Sequence, residues 1–152
     1  MLGKKRELGR KIEDLKIGEN LQLTETVEDK DLLLYLGLTN DGNPLYIQHD
    51  FAAQTAFENP VVPTIMLTGI ITSAVSKYLP GPGSYINEQQ IKFHRPVYHY
   101  STFHFSLELV KIDVEGNEVT IKVEASDEKG NLLISGTVLV NPPKLESQLA
   151  SH

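Results

Sequence analysis

The chain has 152 residues, 40% hydrophobic and 22% charged, which suits one domain around a single buried core. It has no cysteine, so disulfides, thiolate metal sites and cysteine nucleophiles are excluded, and a reducing compartment fits. Fourteen basic against twenty acidic side chains leave a net charge of −6, which argues against non-specific binding to nucleic-acid phosphates.

Residues 1–16 read as a basic N-terminal arm. Lys4, Lys5, Arg6, Arg10 and Lys11 crowd its start. Such a run reads as hydrated, with phosphate contact as its functional alternative. It is too short for a helix-turn-helix. No apolar segment of signal-peptide type follows the charges. The longest apolar stretch, residues 65–79, is broken by Thr68, Thr72, Ser73, Ser76 and Lys77 and is too short for a membrane span. A soluble, cytoplasmic protein is expected.

Leu21, Leu23 and Val27, alternating with polar residues, predict a half-buried strand. Thr26 and Asp29 fit a capping box for a short helix whose apolar face is Leu32, Leu33, Tyr35 and Leu36, ending near Gly37. A loop around Asp41 follows. Asp50 then caps a second short helix through Ala52, Ala53, Ala56 and Phe57, closed by Glu58-Asn59-Pro60. Pro63 and Thr64 open the longest helix, apolar on most of its circumference and therefore expected to be buried all round. Pro80-Gly81-Pro82-Gly83 stops it.

Beyond that breaker the period changes from 3.6 to 2. Residues 85–97, 102–114, 117–126 and 131–140 predict four strands, joined by turns whose glycines, Gly116 and Gly130, supply positive φ. The domain spans 17–141, and 142–152 reads as a disordered tail. One strand, short helices, one apolar helix and an antiparallel meander make an α+β chain, with the sheet wrapped around the long helix in the hot-dog arrangement.

Asp41-Gly42-Asn43-Pro44-Leu45-Tyr46 carries the functional signal. Read locally, Asp41 and Asn43 are turn formers, as such residues commonly are. The longer pattern says more. With Phe51-Ala52-Ala53, Pro60-Val61-Val62, Leu79-Pro80-Gly81 and Phe93-His94-Arg95-Pro96-Val97, the chain resembles the MaoC-like hydratase family, which includes (R)-specific enoyl-CoA hydratases. The likeness runs from roughly Ile17 to Val140.

The resemblance implies an aspartate and a histidine that hold one water for addition to a 2-enoyl thioester, and an amide at the start of the central helix that binds the thioester oxygen. Three positions depart from it. Tyr46 stands where the family has its histidine, and a phenol with a pKa near 10 is a poor base at neutral pH. Pro63-Thr64 replaces His-Gly, and Gly69 replaces a serine, with Thr68 as a neighbouring hydroxyl. His49 reads as a solvent-facing residue.

The implied catalytic set is Asp41 as base, Asn43 orienting the water or the loop, Tyr46 as water ligand and Thr64 as amide donor. Pro63, Thr68, Gly69, His94 and Arg95 are the implied substrate contacts. No cofactor and no metal are expected. His94, His99 and His104 fall on diverging strand positions.

Two readings stay open. One is a hydro-lyase acting on thioesters of coenzyme A or acyl carrier protein, with a hot-dog thioesterase as its variant. The other is a non-catalytic acyl-thioester-binding module or subunit. Both imply a homodimer, or a heterodimer with another hot-dog chain, because a small sheet leaves an edge to cover.

Overall fold

The structure, a computed structural model, describes residues 7–145. Strand β1 (Asn20–Thr26) leads to helices α1 (Asp29–Thr39), α2 (Pro44–Ile47), α3 (His49–Ala53) and α4 (Thr64–Lys77). Strands β2 (Tyr85–Phe93), β3 (Thr102–Asp113), β4 (Glu118–Asp127) and β5 (Leu132–Asn141) complete the chain. They form one antiparallel sheet in the order β1-β3-β4-β5-β2. This is the expected hot-dog arrangement.

The two-residue alternation explains the core. Phe103, Phe105, Leu107 and Leu109 of β3 point inward with Val119, Ile121, Val123 and Ala125 of β4 and Ile134, Val138 and Val140 of β5. Against them α4 lays Leu67, Ile71, Ala74 and Val75. Each large side chain fully buried here contributes about 1.5–3 kcal/mol of transfer free energy. Register shifts at Ile86/Glu88, Leu109/Lys111 and Ala125/Ser126 help bend the sheet over the helix.

Several local expectations are corrected. The capping box exists, but it is Glu28 with Asp31, whose carboxylate accepts the Glu28 N–H at 2.9 Å. Thr26 cannot serve, because its backbone is committed to β1 opposite Thr102. On α1 only Leu32 is buried, and Leu33, Leu34 and Leu38 are exposed. Helix α3 stops at Ala53, and Asp50 lies in its first turn rather than at its cap.

Helix α4 is not buried all round in a single chain. Ile65 is 57% exposed, and Gly69, Thr72 and Ser76 continue an open stripe along the same face. In the β3–β4 turn the positive φ belongs to Asn117, not Gly116, whereas Gly130 takes it in the β4–β5 turn.

Part of the expected arm is packed on the domain. Gly9 and Arg10 donate their N–H groups to the carbonyls of Pro82 and Pro80, Ile12 and Leu15 enter the core, and Arg10 pairs with Glu19. The apolar residues at 12 and 15 outweigh the neighbouring charges. Likewise Pro142 and Pro143, assigned to the tail, are buried. Lys4, Lys5, Arg6 and residues 146–152 lie outside the described residues.

Gly136 sits opposite Ile91, and a Cβ there would fall 2.0 Å from the Gln90 carbonyl oxygen and 2.9 Å from Ile91 Cα. Those atoms are backbone and cannot step aside. Gly136→Ala is therefore expected to cost at least about 1–3 kcal/mol in urea denaturation; an unchanged midpoint would contradict the close β2–β5 approach.

Candidate active site

The loop between α1 and α2 is built by its own polar residues. Asn40, with φ 58°, ends α1 in the left-handed region and turns the chain back. The Asn43 side-chain oxygen accepts the Leu45 N–H at 3.0 Å, and Pro44 follows at the first helical position, so α2 starts capped and presents Tyr46. The Asn43 side chain is thus engaged with the backbone of its own loop.

Asp41 is half-buried, and the Tyr35 phenol donates to its Oδ2 at 2.6 Å. That is the short range of a charge-assisted bond. The hydrogen bond to Asp41, with burial adding, holds the Tyr35 pKa above its usual 10.0. Asp41 Oδ1 receives only a long 3.4 Å bond from the Asn43 N–H. The Tyr35 ring also meets Tyr46 edge-on, centroids 6.3 Å apart. Tyr35 therefore touches both Asp41 and Tyr46.

At the start of α4 a cleft of about 380 Å³ is lined by Tyr46, Thr64, Leu67, Phe93, His94 and Arg95, among others. Pro63 is the N-cap residue and gives no side-chain cap. The first-turn N–H groups are thus the positive end of a 14-residue helix, suited to an oxygen that gains negative charge. His94 Nε2 lies 2.6 Å from the Ser135 hydroxyl. Of the residues singled out in the sequence, Tyr46, Thr64, His94 and Arg95 share this cleft.

The others do not line it. Asp41 and Asn43 belong to the α1–α2 loop, and Pro63 is buried at the helix start. The Thr68 hydroxyl donates to the Ile65 carbonyl at 2.9 Å, which spends it within its own helix. Gly69 lies on the exposed face, where an added Cβ would meet nothing within 4 Å. Here the helix period, not the sequence neighbourhood, decides which side chains face the cleft.

Tyr46 also lines a second cavity of about 700 Å³, with Asp29, Leu32, His49, Pro60, Tyr98 and His99. His49 is exposed but turned to this side of Tyr46. His99 Nε2 lies 3.1 Å from the Val61 carbonyl. A carbonyl only accepts, so Nε2 carries the hydrogen. Nδ1 is buried without a partner. Burial holds the His99 pKa below 6.5, against the opposing pull of the Val61 carbonyl and Asp29. The three strand-region histidines bond separately, His94 to Ser135, His99 to Val61 and His104 to Thr24. In the sequence Tyr35 reads only as part of an apolar helix face and His99 only as one of three diverging histidines, so neither is assigned to the site.

Among the described residues no helix is long and apolar enough to cross a membrane. Residues 14–129 match the family profile described as MaoC like domain. The chain is 29% identical over 131 residues to the (R)-specific enoyl-CoA hydratase of Rhodospirillum rubrum, across 86% of this chain and 90% of that protein. It is 27% identical over 136 residues to the 3-hydroxybutyryl-CoA dehydratase of Methylorubrum extorquens, across 88% and 85%. The solved (R)-hydratase from Aeromonas caviae involved in PHA biosynthesis superposes with a TM-score of 0.81 at 26% identity, over 86% of this chain and 98% of that one.

A histidine whose pKa is depressed on folding binds fewer protons folded than unfolded. Its contribution is full above about pH 6.5 and is lost as pH falls through the folded value. Between about pH 7.5 and 5.5 the wild type is expected to lose more stability in urea than His99→Gln, whose side chain does not titrate. Equal losses in the two proteins would contradict a neutral, buried His99.

Proposed function

The chain belongs to the MaoC-like domain family, and from that premise we propose that it is a hydro-lyase adding water across the double bond of 2-enoyl-coenzyme A thioesters. One observation carries the reading. Tyr46 and Thr64, the first residue of α4, line a single cleft, with the Tyr35 ring against Tyr46 and the Tyr35 hydroxyl on Asp41.

In the proposed reaction the thioester oxygen lies at the first-turn N–H groups beside Thr64. Water is held by the Tyr46 phenol, and for the reaction Asp41, which does not line the cleft in this structure, must turn Oδ1, the carboxylate oxygen that Tyr35 does not occupy, toward that water. Asp41 takes a proton as the water oxygen bonds to the β-carbon. The double-bond electrons move toward the thioester oxygen, where the helix end favours the developing charge. Return of a proton to the α-carbon completes the addition, and dehydration runs the same steps in reverse. Arg95 and His94 at the rim suit the polar portion of a coenzyme A thioester. The setting we propose is the cytoplasm, in keeping with a cysteine-free chain.

A binding module is the second reading, and it has its own observation: Asp41 does not line the cleft and is already bonded to Tyr35. We also propose a homodimer. Strand β2 is a sheet edge, with Tyr85 70% exposed, and α4, which touches β2, carries an open stripe of its own. A second hot-dog chain at the same edge is the alternative.

Purified wild type is expected to hydrate crotonyl-CoA, with a mass in sedimentation equilibrium of about twice 16.9 kDa. Asp41→Asn is expected to lose about 10²–10⁴-fold in kcat. Tyr46→His, which restores an imidazole at the water, is expected to raise it. Thermal stabilisation by crotonyl-CoA without turnover would instead establish the binding module.

A further inference from the structure

We infer that His99 is a positioning residue for the proposed hydration: its imidazole holds the carbonyl of Val61, whose own N–H ties the segment that carries Tyr46 to the segment that enters α4, and so helps fix the spacing of the cleft's two walls. This rests on the hydration reading for its kinetic consequence, whereas the tie itself is a property of the fold. Three stretches of chain meet here. The Val61 N–H donates to the Leu45 carbonyl at 3.2 Å, which belongs to the peptide unit joining Leu45 to Tyr46. The Val61 carbonyl accepts from His99 Nε2 at 3.1 Å. The Val62 N–H donates to the Val97 carbonyl at 2.7 Å, and Val61 forms a bridge with Tyr98. Two residues beyond Val62, Thr64 begins α4.

Val61 is therefore a hub whose N–H holds the Tyr46 peptide and whose carbonyl is held by His99. Val61 and Val62 are buried, so bulk water is a poor substitute for a lost partner. The choice of side chain points the same way. A phenyl ring would fill the space without burying an orphan nitrogen, yet the ring present leaves Nδ1 unpaired. What the imidazole adds is the Nε2–H on the Val61 carbonyl. The groups facing it are Asp29 from α1, the Tyr46 carbonyl from α2, His49 from α3, and Tyr98 and Tyr100 from its own segment. Burial keeps the ring neutral, and the Val61 carbonyl, which only accepts, makes Nε2 the nitrogen that carries the hydrogen.

The position acts from outside the cleft. His99 lines the larger cavity, on the far side of Tyr46, and does not line the cleft beside α4. Its loss is expected to disturb geometry rather than remove a substrate contact, and a displacement near 1 Å in such a site costs about 10²-fold in rate.

The test compares His99→Phe, which keeps the ring without the donor, with His99→Gln, whose amide N–H can reach the same carbonyl. On crotonyl-CoA, His99→Phe is expected to lose about 10- to 100-fold in kcat with KM within about twofold, and His99→Gln to recover most of the loss. An unchanged kcat in His99→Phe, or equal losses in both, would overturn the inference. Amide hydrogen exchange reads the tie without any turnover. The Val61 N–H is expected to exchange faster in His99→Phe while Phe105, deep in the sheet, keeps its protection. If the wild type hydrates nothing, the hydration reading fails and exchange alone decides. Unchanged protection at Val61 then overturns the tie. Should His99→Phe not fold, His99→Leu takes its place in both measurements.

Discussion

Helix α4 is held to the sheet by one face only, and the placement of every candidate group follows from that. Leu67, Ile71, Ala74 and Val75 sink into a wall of Phe103, Phe105 and the inward residues of β4 and β5. The direction of the helix is thereby fixed, and with it the position of its N-terminus beside Tyr46. The same packing sends Thr68 back onto its own helix and turns Gly69 outward. Hydrophobic burial, which has no chemistry of its own, determines which polar groups share a cleft.

Around that helix end the polar structure forms a connected set. Asn43 caps α2, α2 presents Tyr46, and Tyr46 meets the ring of Tyr35, whose hydroxyl holds Asp41. In the proposed reaction the Tyr46 phenol serves as a water ligand, not as a base. The base in that reaction is Asp41 Oδ1, the less engaged of the two carboxylate oxygens.

Much of this was legible in the sequence. The switch from a 3.6 to a 2.0 period after Pro80 marks where the helices end and the meander begins, and alternation from Phe103 to Leu109 marks the inner face of β3. The Asp41 loop identifies the family before any coordinate is known. What was not legible depends on contacts across the fold. Thr26 reads as a cap until its backbone is seen to be paired with Thr102. Ile12 and Leu15 read as part of a charged arm until they are placed under the sheet. The open face of α4 carries apolar residues like the buried one, so composition alone cannot tell them apart. Tyr35 and His99 reach their partners, Asp41 and Val61, through a chain reversal and a sheet crossing that no local pattern encodes.

The most direct measurement is crotonyl-CoA hydration by Tyr46→Phe, which removes one hydroxyl and leaves the ring against Tyr35. If the Tyr46 phenol holds the reacting water beside α4, kcat falls by about 10²-fold or more while KM stays near the wild-type value. A Tyr46→Phe protein that turns over as fast as the wild type would show that the water is held elsewhere and that this cleft is not the site of the chemistry.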